Sequence, residues 1–246
     1  MKISFSRKGF DSSAGGAASP IIDGQPISLP IPTQHRSVTR YADVGLGDIV
    51  ERVTRGRISA AHLCHRDPMF QDRRCAFGQV AAAQSHLENH DFGVGDIFLF
   101  FGLFSDENGR DRHHRIFGYL KVAEKLALGP KPPTTVPCLE GLQHVHPHTV
   151  GEWNDNNTLY FGPGNVARNA ARELRLSKSG TVSSWLIPPW LRQTTLSCHS
   201  DPARWQVDGE LRIVSRGQEF VTGEIGHNLM ARAWVDDVIQ RIDRSC

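Results

Sequence analysis

The chain lacks the cysteine pairs that close a disulfide framework or a cysteine-based zinc site. Its five cysteines stand singly at positions 64, 75, 138, 198 and 246, and no C-x-x-C motif is present. An odd number of scattered thiols argues against a disulfide-stabilised secreted fold and against a structural zinc site. We therefore expect a reducing, cytoplasmic compartment and no structural zinc, and we assign no metal ligands from the sequence.

Long apolar runs and an excess of charge of one sign are also missing. No apolar stretch approaches the roughly 20 residues that cross a bilayer, and the N-terminus lacks the apolar core of a secretory signal. The 28 basic residues nearly balance the 26 acidic ones. Because the net charge is small, any contact with nucleic acid must come from a local patch of basic residues. We expect no membrane partner, and protein partners stay unknown.

The standard nucleotide and hydrolase motifs are absent, and what remains is a loop near the N-terminus. A short strand over residues 2–5 runs into residues 6–16, which hold three glycines and three serines. Glycines let backbone N–H groups approach a ligand, while hydroxyls and cations bind anions. We predict that Arg7, Lys8, Ser12 and Ser13 bind phosphate; an ordinary surface turn is the alternative.

Short strands and helices alternate irregularly along the chain. The apolar run 97–101 predicts a buried central strand, and residues 115–123 return as its partner. Helices are expected over residues 46–55, 77–90, 165–174 and 229–242, and further strands near 158–161, 184–187, 210–214 and 219–221. This pattern favours an α+β fold with a mostly antiparallel, partly barrel-like sheet over a doubly wound sheet.

Several polar side chains are candidates for acid–base chemistry. Residues 62–75 read as a loop that presents His65 and Asp67 to a pocket, since Pro68 disfavours helix at Asp67. His86 lies on an alanine-rich helix and is a possible general base. We assign the reacting end of a site to Asp11, His65, Asp67, Gln79 and His86. These side chains are useful only if they converge, so we expect His65, Asp67 and His86 to approach the Arg7–Lys8 loop.

Two further groups leave alternatives open. The histidines at 144, 146 and 148 share a face if the segment is a strand, and can then converge on a metal ion. Pro147 makes a loop equally compatible, and a loop implies no convergence. Gln218 and Glu219, beside a flexible glycine, are candidate base-binding groups, because an amide can read a base edge; a plain hairpin turn is the alternative.

Several short motifs occur in a fixed order along the chain: Ser6-Arg7-Lys8-Gly9-Phe10-Asp11-Ser12, Pro20-Ile21, His65-Arg66-Asp67-Pro68, Phe77-Gly78-Gln79, Ala82-Ala83-Gln84-Ser85-His86-Leu87, Gly95 to Gly102, His146-Pro147-His148, Leu196-Ser197 with His199, and Arg216 to Val221. This order resembles that of the nucleotide modification associated domain family, third type. The resemblance spans nearly the whole chain and implies a single domain, 1–246, that acts on nucleotides or nucleic acid in bacterial or phage systems. Residues 95–124 also resemble part of a PUA-like domain.

The function predicted from these features is binding of a nucleotide or nucleic-acid base and participation in its modification. One alternative is a reader that recognises a modified base without changing it. Another is a metal-dependent hydrolase or transferase that uses His65, Asp67, His146 and His148. No cofactor can be assigned from the sequence.

Overall fold

A computed structural model of the chain describes residues 1–215 and 217–244, so Arg216 and Cys246 lie outside the described residues. The described residues form three α-helices: α1 (Gly47–Thr54), α2 (Ala81–Glu88) and α3 (Leu229–Asp243). They also form fourteen strands: β1 (Ile3–Arg7), β2 (Ser19–Ile22), β3 (Gln25–Pro26), β4 (Ile31–Pro32), β5 (Cys64–His65), β6 (Met69–Gln71), β7 (Arg74–Val80), β8 (Ile97–Ser105), β9 (His113–Lys121), β10 (Glu124–Ala127), β11 (Asn157–Val166), β12 (Ser184–Leu186), β13 (Glu210–Arg212) and β14 (Glu219–Val221).

Ten of these strands form one mixed sheet whose main order is β14-β1-β8-β9-β11-β7-β6. The strands β1 and β2 run parallel to β8, while the other pairings in this sheet are antiparallel. The path is open, with β14 and β6 at its ends. The predicted α+β class with a mostly antiparallel sheet is confirmed. The predicted partial barrel is not closed among the described strands, because the two terminal strands β14 and β6 do not pair with each other.

The central strand β8 has every residue buried, as its apolar run predicts. Its side chains alternate between two cores. Leu99 and Phe101 pack on one face with the buried stripe of α3, which includes Val235, Val238 and Ile242. Phe98 and Phe100 pack on the other face in an aromatic cluster with Phe77, Tyr160 and Leu87 of α2. The period of two in a strand therefore divides one apolar run between both sides of the sheet.

The predicted helix over residues 77–90 is wrong in its first four residues. These residues belong to β7, and α2 begins only at Ala81. Phe77 packs against Phe98 and Phe100 with ring centroids 4.8 and 5.0 Å apart. The pairing of β7 with β11 and this aromatic contact override the helical propensity of the alanine-rich segment. The correction matters because it places Gly78 and Gln79 on the sheet.

The predicted helix over residues 165–174 is also wrong, because β11 continues to Val166. Residues 157–163 pair with β7, and residues 164–166 then pair with β9. β11 also pairs with β10 over residues 158–161, and Gly162 lies between these residues and those that pair with β9. An added Cβ on Gly162 would lie 1.9 Å from the carbonyl oxygen of Lys121. A glycine permits this close approach of two backbones. A short 3₁₀ turn, Arg172–Leu174, is the only helical element within that predicted range.

Candidate functional site

A cavity of about 660 Å³ lies where the N-terminal loop, the end of β7 and the turn after β5 meet. A larger cavity of about 910 Å³ is lined by arginines such as Arg52, Arg57 and Arg112, but by no histidine among the described residues. The smaller cavity is the candidate site, because it combines cations, a carboxylate, amides and imidazoles that can transfer protons.

Most of the side chains selected from the sequence line this cavity. They are Arg7, Lys8, Asp11, Ser13, His65, Asp67, Gln79 and Gln218. Three others lie elsewhere: Ser12 is exposed on the loop, Glu219 is buried beneath the cavity, and His86 bonds to Ser197 Oγ at 2.9 Å. The structure therefore brings His65 and Asp67 to the Arg7–Lys8 loop, whereas His86 faces the segment between β12 and β13. The chemical roles assigned to all of these residues stay predictions.

Asp67 is the most constrained charged group of the site. Its side chain is 4% exposed, and its two oxygens accept the backbone N–H of Gly78 at 3.2 and 3.3 Å. Burial alone would raise the pKa of this carboxyl, but contacts with His146 and His148 lower it well below its usual range. Asp67 is therefore a carboxylate that is almost completely buried, and such a charge needs positively polarised neighbours.

His148 faces Asp67 with its Nε2, 3.3 Å from Oδ2. Asn157 fixes the tautomer of this ring. Its Nδ2 donates to the carbonyl oxygen of His148 at 2.9 Å, so its Oδ1 accepts from Nδ1 of His148 at 2.9 Å. The ring proton therefore resides on Nδ1. A neutral ring directs the lone pair of Nε2 at the carboxylate, so the attraction that lowers the pKa of Asp67 requires a proton or a cation between the two atoms.

His146 approaches the same carboxylate from the other side. The backbone N–H of His148 donates to its Nδ1 at 3.2 Å, so Nε2 carries the ring proton. That Nε2 lies 3.5 Å from Asp67 Oδ1, an attractive contact but not a hydrogen bond, and it has no hydrogen-bond partner among the described residues. The His146 side chain is fully buried. His146 therefore orients Asp67 without reaching the cavity.

His65 completes the cluster. Its ring lies edge-on to that of His148, with centroids 5.3 Å apart. No described residue accepts from or donates to its ring nitrogens through a hydrogen bond, and the residue lines the cavity. Burial lowers the pKa of His65 to about 4, although Asp67 opposes this change. The ring is therefore neutral near pH 7 and presents a free lone pair.

Glu219 organises the floor beneath the cavity. Its buried carboxylate accepts hydrogen bonds from Ser4 and Ser6 at 2.8 Å each, from Lys8 at 3.2 Å, and from Gln79 Nε2. The ammonium of Lys8 also lies 4.5 Å above the ring of Phe77. The charge of Lys8 is thus already balanced within the protein. Glu219 was predicted to bind a base, but it does not line the cavity.

The remaining loop residues are also bonded locally. The Arg7 guanidinium donates to the carbonyl oxygens of Ser215 and Val214 at 2.9 and 3.1 Å. Asp11 Oδ1 accepts from Ser13 and Ala14, and these hydrogen bonds outweigh burial and lower the pKa of Asp11. At the rim, Arg36 is the more accessible cation: its side chain is 53% exposed, and its Nε pairs with Glu152 at 3.3 Å in an exposed ion pair, which contributes little and can be exchanged for a ligand.

Sequence reasoning missed three residues of the site: Arg36, Asn157 and Gly78. Gly78 belongs to the motif Phe77-Gly78-Gln79, but no role in a site followed from that motif, because the roles of all three residues depend on strand pairing and loop position. An added Cβ on Gly78 would lie 2.2 Å from Cγ of His148, so only glycine leaves room for that ring. The histidine motif at 146 and 148 did give a signal, although the segment is a 3₁₀ turn rather than a strand.

These features define an α+β protein with an imidazole–carboxylate cluster at the floor of a polar cavity. A family model, Nucleotide modification associated domain 3, matches residues 2–223 of the chain. The chain therefore belongs to this family, as the order of its motifs predicts. No curated protein and no solved structure matches it. No helix among the described residues is long and apolar enough to cross a membrane.

Proposed function

We propose that the 660 Å³ cavity binds a nucleotide or a nucleic-acid base and takes part in its modification. The observation that carries this proposal is the convergence of His65, Asp67 and His148 on one polar cavity in a chain of the nucleotide modification associated domain 3 family. The cavity volume falls in the range of about 300–1,000 Å³ that is usual for small-ligand sites.

The two ends of the cavity suit two parts of a nucleotide. At the rim, Arg36 and the hydroxyl groups of Ser13 and Thr33 can bind phosphate, since a guanidinium and hydroxyl groups match its oxygens. Gln218 is exposed beside them, and its amide can form a paired hydrogen bond with a base edge. The histidine–carboxylate cluster then lies at the reacting end of the ligand.

A binding experiment tests the ligand class. The probes are nucleoside monophosphates, single-stranded oligonucleotides and duplexes, titrated by calorimetry at fixed salt. Replacing Arg36 or Gln218 by Ala should weaken binding about ten-fold or more, as expected for a charge-assisted hydrogen bond or a paired amide contact. The matched controls are Arg232→Ala and Gln240→Ala on the exposed face of α3. No binding of any probe, or equal losses in the controls, contradicts the proposal.

The same titration tests the phosphate role predicted for Arg7. In Arg7→Ala, ligand affinity falls if the guanidinium reaches the ligand, whereas only stability falls if its carbonyl contacts are its whole role. Urea unfolding of the same variant separates these two results. Replacing Lys8, which lines the cavity, tests its charge balance with Glu219, which lies beneath the cavity.

A turnover experiment separates an enzyme from a reader of modified bases. Nucleosides recovered from the probe after incubation are compared by mass spectrometry for the wild type and Asp67→Asn. A mass change that needs Asp67 supports modification, while binding without any mass change favours the reader. The buried cluster favours modification, since a reader needs hydrogen-bond donors and acceptors but no buried acid–base group.

The family-level details remain proposals. We propose one domain over residues 1–246, supported by a core in which Ile3 of β1 packs in the same cluster as Ile242 of α3. A bacterial or phage setting and nucleic-acid partners follow from the resemblance of the motifs. A PUA-like arrangement of residues 95–124 is supported only by the β8–β9 hairpin.

A further inference from the structure

We propose that His65, Asp67 and His148 form a binding site for a first-row divalent transition-metal ion, such as Zn²⁺ or Fe²⁺. Each residue offers one ligand atom, and these atoms all lie within 4.8 Å of one another. The site is at the floor of the cavity already described. The proposal does not depend on which ligand the cavity accepts.

The spacing of the three atoms suits a small ion. Ligands about 2.0–2.2 Å from a metal lie about 3.0–3.5 Å from each other in tetrahedral or octahedral geometry. His148 Nε2 and Asp67 Oδ2 are 3.3 Å apart, which already meets this condition. The ring of His65 can close the remaining distance by rotating, because no hydrogen bond to a described residue holds it.

The hydrogen bonds behind the ligands prepare them for a cation. Because Asn157 fixes a proton on Nδ1 of His148, Nε2 is the nitrogen that can bind an ion, and it faces an oxygen that carries lone pairs. Two acceptors at 3.3 Å repel each other unless a cation or a proton lies between them. In a metal-bound histidine, one ring nitrogen usually binds the metal, while the N–H of the other donates to an oxygen acceptor of the protein. The hydrogen bond from Nδ1 of His148 to Asn157 leaves Nε2 for that first role.

Asp67 is held in the same way. His146 Nε2 faces Oδ1, and the two carboxylate oxygens share the N–H of Gly78 at 3.2 and 3.3 Å, so Oδ2 keeps a lone pair for an ion beside His148. The side chains of His146 and Asp67 are 0% and 4% exposed, so water compensates little of this charge. Among the described residues that line the cavity, Lys8 is the one lysine, and its ammonium group is paired with Glu219. A divalent ion supplies the positive charge that the buried carboxylate lacks.

The donor set identifies the class of ion. Two imidazole nitrogens with one carboxylate oxygen match Zn²⁺, Fe²⁺ and related ions, whereas Mg²⁺ and Ca²⁺ prefer oxygen ligands throughout. Three protein ligands leave a coordination position free, and all three ligand residues line the cavity. That arrangement is typical of a catalytic metal rather than a structural one. It is consistent with the absence of paired cysteines in the sequence.

The test uses Co²⁺ as a spectroscopic probe and Zn²⁺ as a competitor. Purified protein, first dialysed against chelator, is titrated with Co²⁺ while the visible d–d bands are recorded, and bound zinc is then measured by elemental mass spectrometry. We expect one ion per chain, with the bands of a four- or five-coordinate site. The variants His65→Gln, Asp67→Asn and His148→Gln should each weaken binding by about 100-fold or more, as expected for the loss of a ligand.

The control is His62→Gln, which removes an exposed imidazole that contacts Ser59 and lies outside the cluster. It should bind Co²⁺ like the wild type. Asn157→Ala keeps all three ligands but frees the His148 ring, so its affinity should fall by about 10–100-fold. Circular dichroism reports whether each variant folds. If Asp67→Asn does not fold, the folded variant His65→Gln provides the test of ligand loss.

Two results overturn the proposal. One is a folded wild type that takes up no Co²⁺ or Zn²⁺, which means that a proton rather than an ion lies between His148 and Asp67. The other is equal binding in the wild type and all three ligand variants, which locates the ion elsewhere. Loss of nucleotide binding with retained Co²⁺ binding contradicts the proposed function alone, so the two proposals fail separately.

Discussion

The buried pair of Lys8 and Glu219 permits a prediction of stability from geometry. The two charges are 3.2 Å apart, and their side chains are 11% and 1% exposed. At an effective dielectric constant of about 20, their attraction is about 5 kcal/mol before the loss of hydration is counted. Ser4, Ser6 and Gln79 donate to the same carboxylate, but they are neutral and cannot replace the ammonium.

Lys8→Met keeps the length of the side chain over Phe77 and removes only its charge. The carboxylate of Glu219 then stays buried without a cation, and we expect a loss of about 3–5 kcal/mol of unfolding free energy. Glu219→Gln should also destabilise the protein, because Lys8 then lacks its partner. The double variant should lose less than the sum of the single losses, by about 2 kcal/mol, since neither charge is left alone.

The assay is urea unfolding followed by tryptophan fluorescence. With a slope near the upper end for small proteins, about 3 kcal/mol per molar urea, Lys8→Met should lower the midpoint by about 1 M or more. The surface pair of Lys178 and Glu210 gives the control, because Lys178→Met should change the midpoint far less. Strictly additive losses refute the reasoning. An unchanged midpoint in Lys8→Met also refutes it, and shows that the ammonium is free to bind a ligand.

Three further predictions concern the site and the core. Gly78→Ala should move His148 and destabilise the protein by about 1–3 kcal/mol, because its Cβ would overlap the ring; Gly93→Ala, whose Cβ has 3.7 Å to its nearest neighbour, is the control, and equal urea midpoints contradict the overlap. Phe98→Ala should cost about 3–5 kcal/mol by calorimetry, since the ring is fully buried between two aromatic neighbours; a loss below about 1 kcal/mol contradicts this packing. Burial lowers the pKa of His114 to about 3, whereas the unfolded residue binds a proton near pH 6.5, so stability should be full above pH 6.5 and fall toward pH 3. His114→Phe should flatten that slope in melting experiments, and an unchanged slope contradicts the assignment.

The local sequence pattern predicted those strands and helices that carry a continuous apolar run or an apolar stripe along one face. The apolar run of β8 could only be a strand buried on both faces, and the stripe of Val238 and Ile242 could only be a helix packed on a core. The motif order predicted the family, which the family model confirms. The loop containing His65 and Asp67 was predicted to face a pocket, since the proline after Asp67 excludes a helix there.

Long-range pairing decided the rest. Residues 77–80 have helical neighbours in sequence, but hydrogen bonds to β11 make them a strand, and this change carries Gly78 to the ring of His148. The same strand brings Gln79 to Glu219, so the pairing of Lys8 with a buried carboxylate is a product of the sheet and not of the loop. The sequence by itself therefore determined which residue types were available for chemistry. Only the tertiary structure decided which of them meet, because contacts between Asp67, His148 and Asn157 join segments that no local propensity connects.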